Sequence, residues 1–296
     1  MSPGASDAAE EVRVMTFNIW VGGDAGKQPL SQTAEVIRAA RADIVGLQET
    51  AGYAKQKGAS QPDNGRVLAE MLHWHYLDQG ERTGILSRFP IVTNTPQKWG
   101  ATLRLPSGRS VRMFNAHLSH APYQPYQLLK IPYANAPFIA TAAEAVDEAR
   151  KARGAQVNRL LSELKPALAE GQPVFVTGDF NEPSHLDWTQ RAAEAGRCPM
   201  AVEYPSTLAM TGIGLRDSFR AMFPDEVKRL GWTWTPTTRP EDPKDRHDRI
   251  DFVFVGGKEA NIARCEIVGE ATPAADIVVH PYPSDHRAVV ATVEIK

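Results

Sequence analysis

A cationic surplus is missing from this sequence. Its 33 Lys and Arg stand against 35 Asp and Glu, a formal net charge of -2. Dedicated duplex-DNA binders draw much of their affinity from neutralising phosphates, so the composition does not mark one, although a local basic patch is compatible with it. Cysteine is scarce. Cys198 and Cys265 are too few for a disulfide framework, and with no CxxC or Cys/His neighbour they do not read as a zinc site. A single disulfide between them stays open. No uninterrupted run of ~18 apolar residues occurs, and the opening MSPGASDAAEEVRVMTF has no apolar stretch of the signal-peptide kind, so neither a membrane span nor a leader is expected. A cytoplasmic protein is the default, with secretion the alternative if a leader has been removed. Repeats of ~20 to 50 residues and low-complexity tracts are also lacking.

What is present suits a soluble globular protein with ample core: 42% hydrophobic, 8% aromatic and 23% charged residues over 296 positions. Residues 1–11 are polar and Ala-rich and are expected to be loosely ordered. Residues 12–19 (VRVMTFNI) alternate as a strand and run into the Gly-rich turn VGGDAGK. Residues 31–41 predict a helix with Ser31 as N-cap. ADIVGLQET reads as a strand and 66–72 as a helix. HYLDQG, TGILSRFPIV, ATLRLP and VRMFNAHLS follow as short strands in an antiparallel run. Residues 119–138 interrupt with four prolines and several aromatics, a length and composition typical of a lid or binding loop. Residues 139–170 predict one long helix or two shorter ones. PVFVTGDFNEP, GWTWTP, IDFVFVG and the final AVVATVEI read as strands, with a helix near 187–196.

Polar residues sit where these strands end: Asn18, Glu49, Asp179 with Asn181, and Asp285 with His286. Singly, each is explained by a turn or a cap. As a set they mark the strand termini where α/β enzymes build sites. Asn115 and His117 share one face of their strand by alternation. Asp251 lies within an apolar strand, where a carboxylate is costly unless paired or bound to a cation. If Glu49, Asp179, Asp251 and Asp285 converge, their repulsion calls for a hard divalent cation, Mg2+ or Mn2+, together with imidazolium. Zinc suits this oxygen-rich set less well. His73 and His75 do have HxH spacing, but beside a Trp at a helix end they read as structural.

The order FNIW, LQET, NAHLSH, GDFN, RIDF, SDH resembles the endonuclease/exonuclease/phosphatase superfamily, which includes pancreatic deoxyribonuclease, apurinic endonucleases and neutral sphingomyelinases. The resemblance runs from residue 18 to residue 286. It implies an α/β fold, a four-layer sandwich of two packed mixed β-sheets flanked by helices, and a single catalytic domain over 12–296 with a metal-dependent phosphoesterase site. It makes Glu49 the principal metal ligand, assisted by Asn18 and Asp285. Asp179 and Asn181 would position or deprotonate the attacking water. His286, oriented by Asp251, would contact the phosphate or act as general base. His117 and Asn115 would bind the phosphoryl group, with His117 also a candidate acid, and a His at this position is similar to the deoxyribonuclease and sphingomyelinase branches. Glu81, in ERTGILSR, resembles a carboxylate partner of that histidine, against the simpler reading of a solvated turn residue. Arg82 and Arg88 read as surface charges.

The substrate is approached through the 119–138 segment. It holds one lysine, Lys130, and offers Tyr123, Tyr126, Tyr133 and Phe138 instead. Aromatic walls suit a sugar, a lipid or another small leaving group, and they also stack bases. Trp232 and Trp234 alternate with Thr and share one face, as core or as substrate wall, with Arg249 nearby as a lining candidate. The ranking is a small phosphorylated or phospholipid-like substrate first, DNA or RNA second, and a non-catalytic binding module of the same fold third.

Overall fold

A computed structural model of the chain describes residues 9–296. In chain order the elements are β1 (Glu10–Asn18), α1 (Leu30–Ala39), β2 (Ile44–Gln48), α2 (Asn64–Leu72), β3 (His75–Gly80), β4 (Thr83–Ser87), β5 (Ile91–Asn94), β6 (Gly100–Arg104) and β7 (Ser110–His117). Then follow α3 (Gln124–Leu129), α4 (Ala142–Ala169), β8 (Val174–Asp179), α5 (Gln190–Glu194), α6 (Pro205–Gly212), β9 (Arg216–Asp217) and α7 (Ser218–Met222). The chain closes with β10 (Asp251–Gly256), β11 (Ala260–Gly269), β12 (Ile277–Val278) and β13 (Ala288–Ile295).

Strands rich in Val, Ile and Phe on both faces cannot leave either face wet, and they assemble into two stacked mixed sheets. One has the order β12-β11-β13-β1-β2-β4-β3, the other β5-β6-β7-β8-β10-β9. The β1/β2 and β7/β8 pairs at their centres are parallel. Between the sheets lie Val14, Ile44, Ile85, Met113, Phe175, Val253 and Val289. On the first sheet's outer face Met15 and Phe17 pack with Val36 and Ile37 of α1 and Leu68 of α2. On the second, Phe114, Val176 and Phe254 meet Leu160 and Leu164 of α4 and Met210 of α6. The expected four-layer α/β sandwich is present.

Polar ties cross the middle. Gln48 Nε2 donates to Asn115 Oδ1 at 2.6 Å, Thr177 Oγ1 donates to the same oxygen at 3.1 Å, and Asn115 Nδ2 donates to the Leu47 carbonyl at 2.9 Å. Gly46 lets the sheets approach there, since a Cβ on it would stand 1.9 Å from Thr177 Oγ1.

Local departures from the sequence reading have physical causes. Most of the expected loose segment 1–11 lies outside the described residues, but Glu10 and Glu11 already belong to β1, paired with Ile295 and Glu294. Pro29, in extended backbone, precedes α1, so the helix starts at Leu30 and Ser31 is inside it rather than its cap. The strand run splits between sheets, β3 and β4 joining the first and β5 to β7 the second. A capping box between Thr141 and Glu144 starts the single 28-residue helix α4, which carries Pro166 in its last turn. GWTWTP is not a strand; Trp234 makes isolated bridges to Asp248 and His286.

Candidate active site

The polar strand ends meet at one edge of the sandwich. Asn18 and Gln48 end adjacent parallel strands, which sets Glu49 beside Asn18. Glu49 takes a left-handed backbone (φ 59), and its carboxylate accepts from the Val21 amide at 2.8 Å and from Asn18 Nδ2 at 3.4 Å. From the second sheet, His117 and Asp179 close the parallel pair β7/β8, and Asp251 faces Asp179 across β10. Asn18 Nδ2 also donates to Asp179 Oδ2 at 3.0 Å, so one amide holds a carboxylate from each sheet. Asp179 Oδ1 accepts from the Asn181 amide at 2.9 Å. His117 Nε2 and His286 Nε2 approach Asp179 Oδ2 at 3.5 and 3.7 Å. His286 Nδ1 is 2.9 Å from Asp251 Oδ2.

These groups open into a cavity of about 420 Å³ whose other walls are Trp20, Tyr123, Tyr126, Tyr133 and Trp234. Tyr123 and Tyr126 stand edge-to-face at 5.0 Å, Tyr126 and Tyr133 at 5.5 Å, and the Trp234 ring lies 4.9 Å from that of His286. The 119–138 segment therefore does reach the site. It is stapled there by two carboxylates: Tyr123 Oη donates to the buried Asp248 at 2.8 Å and Tyr126 Oη to the partly buried Asp245. Trp188 Nε1 donates to Asp248 as well, at 3.0 Å.

Two sequence assignments are corrected by this geometry. Arg249 does not line the cavity. It is buried behind it, ion-paired with Asp187 at 2.9 Å and Asp217 at 2.8 Å and lying over the Phe252 ring. Asn115 shares His117's face but lies one pleat deeper, and its amide is consumed by Gln48, Gln79, Thr177 and the Leu47 and Gly84 carbonyls. Asn18 accepts from the Trp20 amide through its Oδ1 at 3.0 Å and donates through Nδ2 to Glu49 and Asp179, so it also spaces those two carboxylates. Arg82, read from the sequence as a surface charge, lines the cavity, and sequence reading passed over Trp20, His120 and Asp248. Trp20 stood inside the FNIW motif, whereas nothing local flags Asp248 in its charged loop.

Burial opposes charge on His286, but Asp251 and then Asp179 and Asp285 overcome it and raise its pKa to about 10. These carboxylates favour the protonated ring. Burial pushes the Asp285 carboxyl up to about 7, with His286 opposing and Glu49 and Asp179 adding to the rise. Asp285 Oδ1 is buried without a hydrogen-bond partner. An orphaned carboxylate oxygen next to Glu49 is the donor chemistry a hard divalent cation requires, so the residues fit Mg2+ or Mn2+. Asp179, Asp251 and His286 also place ligand atoms within 4.8 Å of one another.

Comparison with known proteins agrees with the geometry. Residues 15–286 match the Endonuclease/Exonuclease/phosphatase family. An uncharacterized protein of Caenorhabditis elegans is 29% identical over 95% of this chain and 90% of its own length. The inositol phosphosphingolipids phospholipase C of Schizosaccharomyces pombe is 24% identical over 98% of this chain and 70% of its own. Among solved structures, an endonuclease/exonuclease/phosphatase from Beutenbergia cavernae superposes with a TM-score of 0.59 at 21% identity, over 96% of this chain and 72% of that one.

Proposed function

The chain belongs to the endonuclease/exonuclease/phosphatase family, and from that premise we propose that it is a divalent-metal-dependent phosphoesterase acting on a small or lipid-linked phosphodiester or phosphomonoester. One observation carries the choice of substrate: the polar cluster and the five aromatic walls share a single cavity, in which Arg82 is the one Lys or Arg among the described lining residues. Such a cavity favours one phosphoester with a flat or apolar arm over a long polyanion. The likeness to a phospholipase C supports the same reading.

Glu49 and Asp285 would hold the cation. When bound, it spreads the charge that develops on the phosphoryl oxygens. Asp179, acceptor for the Asn181 amide, takes a proton from the attacking water as its oxygen bonds to phosphorus. His286, kept charged by Asp251, donates to a non-bridging phosphate oxygen. The ester P–O bond opposite the water breaks, and His117 supplies the proton to the departing oxygen. The aromatic walls orient the arm that carries that oxygen.

The test is hydrolysis of p-nitrophenyl phosphorylcholine, bis-p-nitrophenyl phosphate, p-nitrophenyl phosphate, plasmid and single-stranded DNA with Mg2+ or Mn2+. The expected result is turnover of the small esters, lost by at least about 100-fold in EDTA and in Glu49→Ala. Efficient DNA nicking at physiological salt would instead support the nuclease reading, which the same stacking walls allow. Hydrolysis of none would overturn both in favour of a binding module.

A further inference from the structure

A second cavity, of about 150 Å³, shares His117 with the catalytic one. Its walls are the β3–β4 turn with Gln79 and Glu81, the β5–β6 hairpin with Lys98 and Trp99, and Arg159 of α4. On a helix the ordinary partner for Arg159 is the carboxylate four residues on, Glu163. Here Glu163 is taken: it accepts from Thr95 Oγ1 at 2.5 Å, the Gln97 amide at 2.7 Å and the Trp99 amide at 3.3 Å. The same clamp that fastens the hairpin to α4 thus releases the Arg159 guanidinium, which lies 5.8 Å over the Trp99 ring. On the opposing bank Lys98 has a left-handed backbone (φ 60), held from below by Gln79 Nε2 on its carbonyl at 2.9 Å and on that of Trp99 at 3.0 Å. Gln79 is itself fixed, its Oε1 accepting from Asn115 Nδ2 at 2.8 Å. Among the described residues neither Lys98 nor Arg159 makes an ion pair. Two cations therefore face a polar recess beside His117, against the single carboxylate of Glu81.

We propose that this recess is a subsite for an anionic group, a phosphate above all, carried on one arm of the substrate beside the phosphoester that is cut. The proposal deepens the phosphoesterase reading and rests on it. A planar guanidinium and a flexible ammonium, free of ion-pair partners among the described residues, have no desolvated ion pair to break before they meet an anion. The shared chemistry, a second phosphate, has two sources: a phosphorylated head group or the next phosphate of a nucleic acid strand.

The experiment compares p-nitrophenyl diesters of glycerol and of glycerol phosphate. In the native protein kcat/KM is expected to be higher for the phosphorylated arm. The ratio should fall about tenfold in the double variant Lys98→Ala/Arg159→Ala, through KM rather than kcat, and Lys98→Arg should keep most of it. Equal ratios in native and variant protein overturn the subsite. Binding of glycerol bisphosphate, read by titration calorimetry, tests the same contact without turnover: an affinity about tenfold weaker in the double variant supports it, and one that is unchanged or undetectable in both proteins refutes it. No hydrolysis of either diester, with that binding difference intact, would sink the phosphoesterase reading and leave the subsite standing. Oligothymidylates separate the sources: affinity that climbs with each added phosphate points to a strand, affinity that saturates at one to a head group.

Discussion

Asp251→Asn removes one negative charge from the catalytic cluster and keeps an acceptor for His286 Nδ1, now 2.9 Å from Asp251 Oδ2. Both residues are buried, and burial alone would strip the proton from the ring; Asp251 is the largest influence holding it there. The rise from 6.5 to about 10 corresponds to about 5 kcal/mol in favour of the imidazolium. With Asn in place the main attraction is gone, and the ring should titrate near or below its ordinary value. Near pH 8 the native ring is then about 99% charged and that of the variant at most about 3% charged, a loss of at least about thirtyfold in the active form. Adding the charge no longer available to the transition state, kcat/KM should drop by about 100- to 1000-fold. The sign follows from a raised pKa. Activity that needs the imidazolium is complete below the ordinary value and lost as pH rises through about 10, and the ion pair's contribution to stability follows the same course. The assay pairs an NMR titration of the His286 ring in metal-free protein with the pH dependence of kcat/KM in Mg2+. A ring that titrates unchanged in the variant, or kcat/KM within about threefold of native near pH 8, refutes the reasoning.

Two further outcomes are expected. Arg249→Met leaves buried Asp217 without its cation and Asp187 with Arg220 alone, and should cost about 3 kcal/mol of stability, visible as a fall in denaturant midpoint; a change below about 1 kcal/mol would contradict the buried ion-pair assignment. Tyr133, exposed on the cavity wall, should matter to the substrate's arm and not to its phosphorus: Tyr133→Ala should raise KM for a lipid-linked diester about fivefold and leave p-nitrophenyl phosphate nearly untouched, and equal losses on both would make the wall structural.

Strand ends were the legible part of this molecule. A polar residue terminating an apolar run is singly explained by a turn or a cap, but Glu49, Asp179, Asp285 and His286 recurring together at strand ends stood out as a set before their convergence was known. Period-two alternation also put Asn115 and His117 on one face, but it carries no information about depth, and a single pleat separates an inter-sheet tie from a group lining the cavity. The same alternation set Trp234 apart from Thr233 and Thr235 without saying which side was core. The small hydroxyls turned out to be the buried ones, because Thr233 Oγ1 accepts from the amides of Ile250 and Asp251. Arg249 was misplaced for a related reason. Its partners Asp187 and Asp217 are distant in sequence, and a long-range ion pair leaves no local pattern.

Glu49 and Asp285 come from the sheet that contains β1, and His117, Asp179 and Asp251 from the other. The reacting distances are consequently a gauge of the gap between two stacked slabs, and at Gly46 that gap leaves no room for a Cβ. Widening that gap by one methyl group, in a position no ligand touches, would detune the reaction while leaving every active-site residue in place. Inactive variants recovered from a random screen should therefore include Gly46, Gln48 and Thr177, and would be mistaken for catalytic residues by anyone who counted only lost activity.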